Sequence, residues 1–228
     1  MFDIICVMGK RLAESLRVAQ ASVKANAVAM ATLWLAAAAT VAAYYLSPAF
    51  AAALEPLKTW QTESGWIAAA LNRIAFCGLL PGVFLCTVKS IRPPRPAWTV
   101  LAYCVWAAMW GVLTGCFYTL QAAVFGTGHG FLTLAAKTAV DQLVWTALIC
   151  TPLNAVFFSW LAADFRRVDV VSAVRRGYGP MLFANWIVWL PVAAVVYLFP
   201  LALQIQLTGF AGAFWMLAAL RAGAGGSR

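Results

Sequence analysis

Apolar positions in this chain fall in long uncharged runs, not in the short alternation of a half-buried strand or the one-sided stripe of a surface helix. Runs over Ala25 to Leu54, Ala97 to Ala136, Gln142 to Ala163 and Tyr178 to Leu220 reach the roughly 20 residues a helix needs to cross about 30 Å of hydrocarbon. The last is long enough for two crossings. The breaks between runs set the expected elements. A first span over Ala25 to Leu46 carries Trp34 and puts Tyr44 and Tyr45 where an aromatic belt sits, before Ser47 and Pro48. A second over Gly65 to Val88 is interrupted by Arg73 and is followed by the basic, proline-stiffened loop Lys89 to Pro96. A third runs from Trp98 to about Ala122, and the Gly-rich turn Gly126 to Gly130 leads into a fourth from Phe131 to near Asp164. After an expected polar loop over Asp164 to Gly177, Pro180 opens a fifth span to Pro200, and a short sixth covers about Ile205 to Leu220.

The expected fold class is therefore all-α: a polytopic helical membrane bundle of six transmembrane helices. It is preceded by a segment over Met1 to Lys24 whose Asp3, Lys10, Glu14 and Arg17 share one helical face, as in an amphipathic helix on the membrane surface. Ala49-Phe50-Ala51 resembles a signal-cleavage site, but the apolar run before it exceeds the length of a signal core, which favours an uncleaved anchor.

Composition agrees with the pattern. Of 228 residues, 64% are hydrophobic and only 10% charged, far from a soluble domain. The net charge of +9 raises the question of nucleic acid, but the basic residues sit between the apolar runs instead of along one soluble face. They read as topology signals: placing both termini on the cytoplasmic or matrix-like side collects the Lys and Arg of the loops there almost entirely. The six Cys form no CxxC and lie mostly inside apolar runs, as reduced structural residues do.

Charges inside spans are the candidate chemistry, since an ionisable group in hydrocarbon is costly unless paired. Arg73, Lys137 and Asp141 are such charges. Lys137 and Asp141 lie one helical turn apart, about 6 Å along the axis, in the order that adds less to an isolated helix. If Arg73, Lys137 and Asp141 converge, they form a charged constriction that sets ion preference in a pore, with Gln142, Thr138 and Thr146 continuing a polar stripe. The plainer alternative is that Lys137 snorkels to the outer interface and Asp141 neutralises a neighbour. Asn154 and Asn185 fall in the inner half of their spans and read first as packing glue, with pore lining as the alternative. Pro191 is a candidate kink. Gly78 with Gly82 and Gly111 with Gly115 are GxxxG elements that permit close helix approach.

Together these residues resemble the Mpv-seventeen and twenty-two-kilodalton peroxisomal membrane protein family over roughly Gly65 to Leu220. The similar elements are Lys137, Asp141 and Gln142 in a Lys-x-x-x-Asp-Gln helix, and Gly111, Gly115, Phe117 and Tyr118 upstream. Asn185, Trp186, Trp189, Pro191 and Pro200 follow in order, with Trp215 in a last helix. Val112 and Ala147 stand where that family has Pro, and Gln204 near where it has Arg. The resemblance implies a family-like five-helix membrane domain over 65–222, beyond an added helix over 25–47, with a flexible tail over 223–228. It also implies a bacterial cytoplasmic, mitochondrial or peroxisomal membrane and a proposed role as a small-solute channel.

With one His, no paired carboxylates in a span, no phosphate loop and no metal spacing, no enzyme, cofactor or metal is expected. The expected partners are the lipid bilayer, small solutes or ions and, as an open option, further copies in a homo-oligomer; nucleic acid is not among them. The alternative to a weakly selective channel is a non-conducting structural protein whose charges form a clasp between helices.

Overall fold

The computed structural model of the chain describes residues 16–17, 20–21, 24, 27–89 and 92–225. Helices account for most of these residues, and no strand occurs among them. In chain order they are α1 Ala27–Leu46, α2 Pro48–Thr87, α3 Pro96–Phe125, α4 Phe131–Ala162, α5 Val170–Val196 and α6 Leu201–Gly225. By length and composition, α2, α3, α4 and α5 are long and apolar enough to cross a membrane, while α1 and α6 contribute the shorter apolar helices Met30–Leu46 and Leu201–Met216. The all-helical class expected from the sequence holds, with four helices of spanning length where six spans are expected. Large apolar side chains such as Ile67, Val105, Val124 and Leu148 are exposed, as on a surface that faces lipid instead of water. The amphipathic segment expected over 1–24 lies outside the described residues, apart from the isolated positions named above.

Three helix boundaries differ from the sequence expectation. Ser47 and Pro48 end α1 but also start α2, because the Ser47 hydroxyl accepts the Phe50 N–H at 3.3 Å and Pro48 occupies the first turn. The stretch before Gly65 is therefore helical, and Gly65, at φ 49°, is a bend inside α2, a left-handed conformation that glycine adopts without steric cost. The polar loop expected over Asp164 to Gly177 shrinks because Asp169 caps α5 through the Ser172 N–H at 3.0 Å; Pro180 is then interior to the helix. α6 continues to Gly225, into the stretch expected as a tail.

The chain divides into two compact units, one comprising Val28–Thr138 with Pro191–Arg228 and the other containing Ala139–Leu190. In the first, α2 runs antiparallel to α3 and α6 packs on both. Glycines set the approach. A Cβ on Gly78 would lie 2.8 Å from the Cys104 Cα, one on Gly82 would lie 3.2 Å from Val100, and one on Gly111 would collide with the Ala69 carbonyl. Gly115 faces Ile205 of α6. The end of α1 joins the same unit: the Tyr45 hydroxyl donates to the Leu198 carbonyl at 2.5 Å, and its ring meets His129 edge-on at 5.9 Å.

In the second unit, the later part of α4 and the earlier part of α5 form a helical hairpin. α4 ends with Asp164 and Phe165 at positive φ; the Phe165 N–H reaches the Trp160 carbonyl and the two rings pack at 4.9 Å, a Schellman closure with its hydrophobic contact. Gly177 lets α5 approach Ala155, where an added Cβ would lie 3.1 Å from the alanine methyl.

Both α2 and α4 contain π-helical stretches, Ile74–Leu79 and Asp141–Cys150. Each stops just before a proline, Pro81 and Pro152. A proline has no N–H to give and its ring crowds the carbonyl one turn back, so the preceding turn widens and carbonyls take partners five residues on: Ala75 from Leu80, Thr146 from Thr151. Pro191, the expected kink, lies inside α5, which continues past it to Val196. Pro200 starts α6, its carbonyl accepting the Leu203 and Gln204 N–H groups.

Overpacking against backbone costs about 1–3 kcal/mol, so Gly111→Ala should lower the thermal midpoint in detergent micelles. Gly128→Ala, which meets nothing within 4 Å, should leave it unchanged; equal midpoints would contradict the close crossing of α2 and α3. Hydrogen bonding to Ser172 holds the Asp169 carboxyl below its usual 3.8. Because the folded value is the lower one, the cap contributes fully above the unfolded value and is lost as pH falls through the folded one. The protection factor of the Ser172 amide, its exchange relative to the intrinsic rate at the same pH, should fall on acidification, and Asp169→Asn should remove that fall.

Candidate functional site

The polar interior of the first unit begins at the bend. At Gly65 the backbone departs from helical φ/ψ, and the Gln61 amide nitrogen donates to its carbonyl at 2.9 Å. That bond fixes the orientation of the amides beyond it, because a carbonyl only accepts. Gln206 of α6 donates to the Gln61 Oε1 at 2.8 Å, and the Asn72 Nδ2 donates to the Gln206 Oε1 in turn. The chain Asn72, Gln206, Gln61, Gly65 thus runs in one direction and leaves the buried Asn72 Oδ1 as an acceptor without a partner.

Arg73 follows Asn72 on α2 and is buried. Its Nη1 donates to the Cys77 sulfur at 3.8 Å, the Cys77 thiol donates to the Gly209 carbonyl at 3.5 Å, and its buried Nε has no partner. Two glycines of α6 make room for this group. A Cβ on Gly209 would collide with the Asn72 carboxamide, and one on Gly212 would lie 2.6 Å from the Cys77 sulfur and 3.2 Å from the Arg73 Nη1.

Lys137 belongs to the same unit but to another level. It is 3% exposed, and its ammonium lies 5.8 Å from the centroid of the Tyr197 ring, a cation–π contact. The Tyr197 hydroxyl accepts the Gln121 Nε2 at 2.9 Å, and Tyr118 packs on the Tyr197 ring at 5.4 Å. Antiparallel packing places Arg73 level with the part of α3 just before Gly111, roughly 20 Å along that helix from Gln121 at about 1.5 Å per residue. Arg73 and Lys137 are therefore not brought to one point. Among the described residues of their unit, neither has a carboxylate within salt-bridge distance.

Asp141 and Gln142 open the π-helical stretch of the other unit, both buried. The Asp141 Oδ1 accepts the Gln142 Nε2 at 2.9 Å and the Thr146 hydroxyl at 3.5 Å, and the Thr151 hydroxyl donates to the Thr146 carbonyl at 2.8 Å. The wider π turn moves the polar stripe from the expected four-residue steps, Thr138, Gln142 and Thr146, to five-residue steps, Asp141, Thr146 and Thr151. The Trp186 indole of α5 donates to the Gln142 carbonyl at 3.0 Å, while the Gln142 Oε1 is buried without a partner. Asn154 and Asn185 are half-buried on α4 and α5 of this unit.

Gln61, Asn72, Gln206, Gly209, Gly212, Gln121 and Tyr197 were not among the residues singled out from the sequence. Amides and paired glycines inside apolar runs were the available signal, and the charges nearby outweighed it. Searches against family models, curated proteins and solved structures find no match for this chain.

Tyr197→Phe keeps the ring beneath Lys137 and strands the Gln121 amide, which should cost about 1–3 kcal/mol. Tyr197→Phe combined with Gln121→Leu should cost less than the two single changes added. Additive losses in micelle unfolding would show that the two side chains are not coupled.

Proposed function

We propose that this is a multi-pass membrane protein of six spans that forms a weakly selective passage for small solutes or ions. The observation that carries the proposal is the set of buried polar atoms without partners in apolar helices: Asn72 Oδ1, Arg73 Nε, Gln121 Oε1 and Gln142 Oε1. Inside a bilayer, such a group costs several kcal/mol unless water, solute or protein satisfies it. Two buried cations with no carboxylate within salt-bridge distance among the described residues of their unit point the same way. The meeting of Tyr45, His129 and Leu198 supports six spans, since Tyr45 and Leu198 stand at the expected outer ends of the first and fifth spans and His129 in the outer turn between the third and fourth. The resemblance to the Mpv-seventeen family is part of the same proposal and rests on the motifs quoted above.

A non-conducting clasp is the alternative, favoured by the amide chain from Asn72 to Gly65, which is closed between α2 and α6. Flux of ions and small neutral solutes from liposomes separates the two. A passage predicts flux in the unmodified protein and altered ion preference in folded Arg73→Gln and Asp141→Asn variants. A clasp predicts no flux and a large fall in thermal midpoint for each.

A further inference from the structure

The patch where Asn72, Arg73 and Cys77 of α2 meet Gly209 and Gly212 of α6 lacks something chemically specific. Gly209 and Gly212 are three residues apart on α6, so their faces are neighbours about 5–6 Å apart. Asn72 fills the space a Cβ would take on the first, and the Arg73 guanidinium lies 3.2 Å from that position on the second. An unpartnered acceptor and an unpartnered, positively charged donor are thus held on one small patch. The direction of the amide chain fixes Asn72 as acceptor, so it offers Oδ1 and not its nitrogen.

A ligand that completes both groups must bring negative oxygen for the arginine fork and an O–H donor for the amide oxygen. A plain carboxylate satisfies one of them, and a neutral alcohol leaves the charge uncompensated. We propose that Asn72 and Arg73, against Gly209 and Gly212, form a buried binding site for a small hydroxycarboxylate. The carboxylate takes the Arg73 Nε side and the hydroxyl donates to the Asn72 Oδ1. The two glycines let the Asn72 carboxamide and the Arg73 guanidinium lie against the α6 backbone, and Cys77, tied to the Gly209 carbonyl at 3.5 Å, bounds the patch.

This assignment deepens the passage proposed above and rests on it only in that a solute must reach the patch. The test therefore measures binding and flux separately. Glycolate and acetate are titrated calorimetrically into the full-length protein in micelles at constant ionic strength. Glycolate should bind about five- to tenfold more tightly than acetate, the weight of one hydrogen bond. Arg73→Gln should abolish both, and Gly209→Ala, which displaces the Asn72 carboxamide, should remove the preference. Equal affinities, or no binding of either anion to the unmodified protein, would overturn the site even if neither variant folds. Flux of a neutral solute without glycolate binding overturns the site and leaves the passage standing; glycolate binding without flux upholds the site and overturns the passage.

Discussion

In an apolar helical interior, every hydrogen-bonding group that leaves the helical ladder must find a partner within the protein or in a trapped polar species. The Gly65 carbonyl is where that constraint acts first. The chain bends there at φ 49°, Gln61 turns its amide to meet that carbonyl, and the orientations of Gln206 and Asn72 follow in sequence. One backbone kink thereby decides which atom of Asn72 is left over, next to a buried arginine. The close crossing of α2 with α3 at Gly78, Gly82 and Gly111, and of α2 with α6 at Gly209 and Gly212, keeps those groups away from lipid.

Proline does comparable work at a second scale. Pro81 and Pro152 each sit just after a π-helical stretch, and each stretch adjoins a buried charge, Arg73 or Asp141. The wider turn on α4 aligns Asp141, Thr146 and Thr151 by five-residue steps, which lets a hydroxyl donate to the carboxylate along one helix. A regular α-helix would place Thr146 off that line.

Much of the architecture is legible from residue order alone because hydrocarbon imposes length and polarity together. The helices around 98–122 and 131–163 follow directly from their uncharged runs. What eludes the pattern is local capping: Ser47 and Asp169 lengthen α2 and α5 through single side-chain bonds that hydropathy does not register. The same holds for chemistry. Arg73, Lys137 and Asp141 stand out because a charge in an apolar run is conspicuous, but their company is set by helix pairing, which puts Lys137 over Tyr197 and Arg73 beside Cys77. Gln61, Asn72 and Gln206 are individually ordinary, and only the antiparallel packing turns them into a line.

Whether the interior around Arg73 is wet decides between a passage and a clasp. Cys77, half-buried beside Arg73, reports on this directly when it is the only cysteine left in the chain and the protein is reconstituted in sealed vesicles. The most direct measurement is its rate of reaction with a small, charged, membrane-impermeant thiol reagent. A wet passage predicts modification in intact vesicles, slowed by an excess of permeant small anion. Modification only after the protein is unfolded would show a dry interior and contradict the passage.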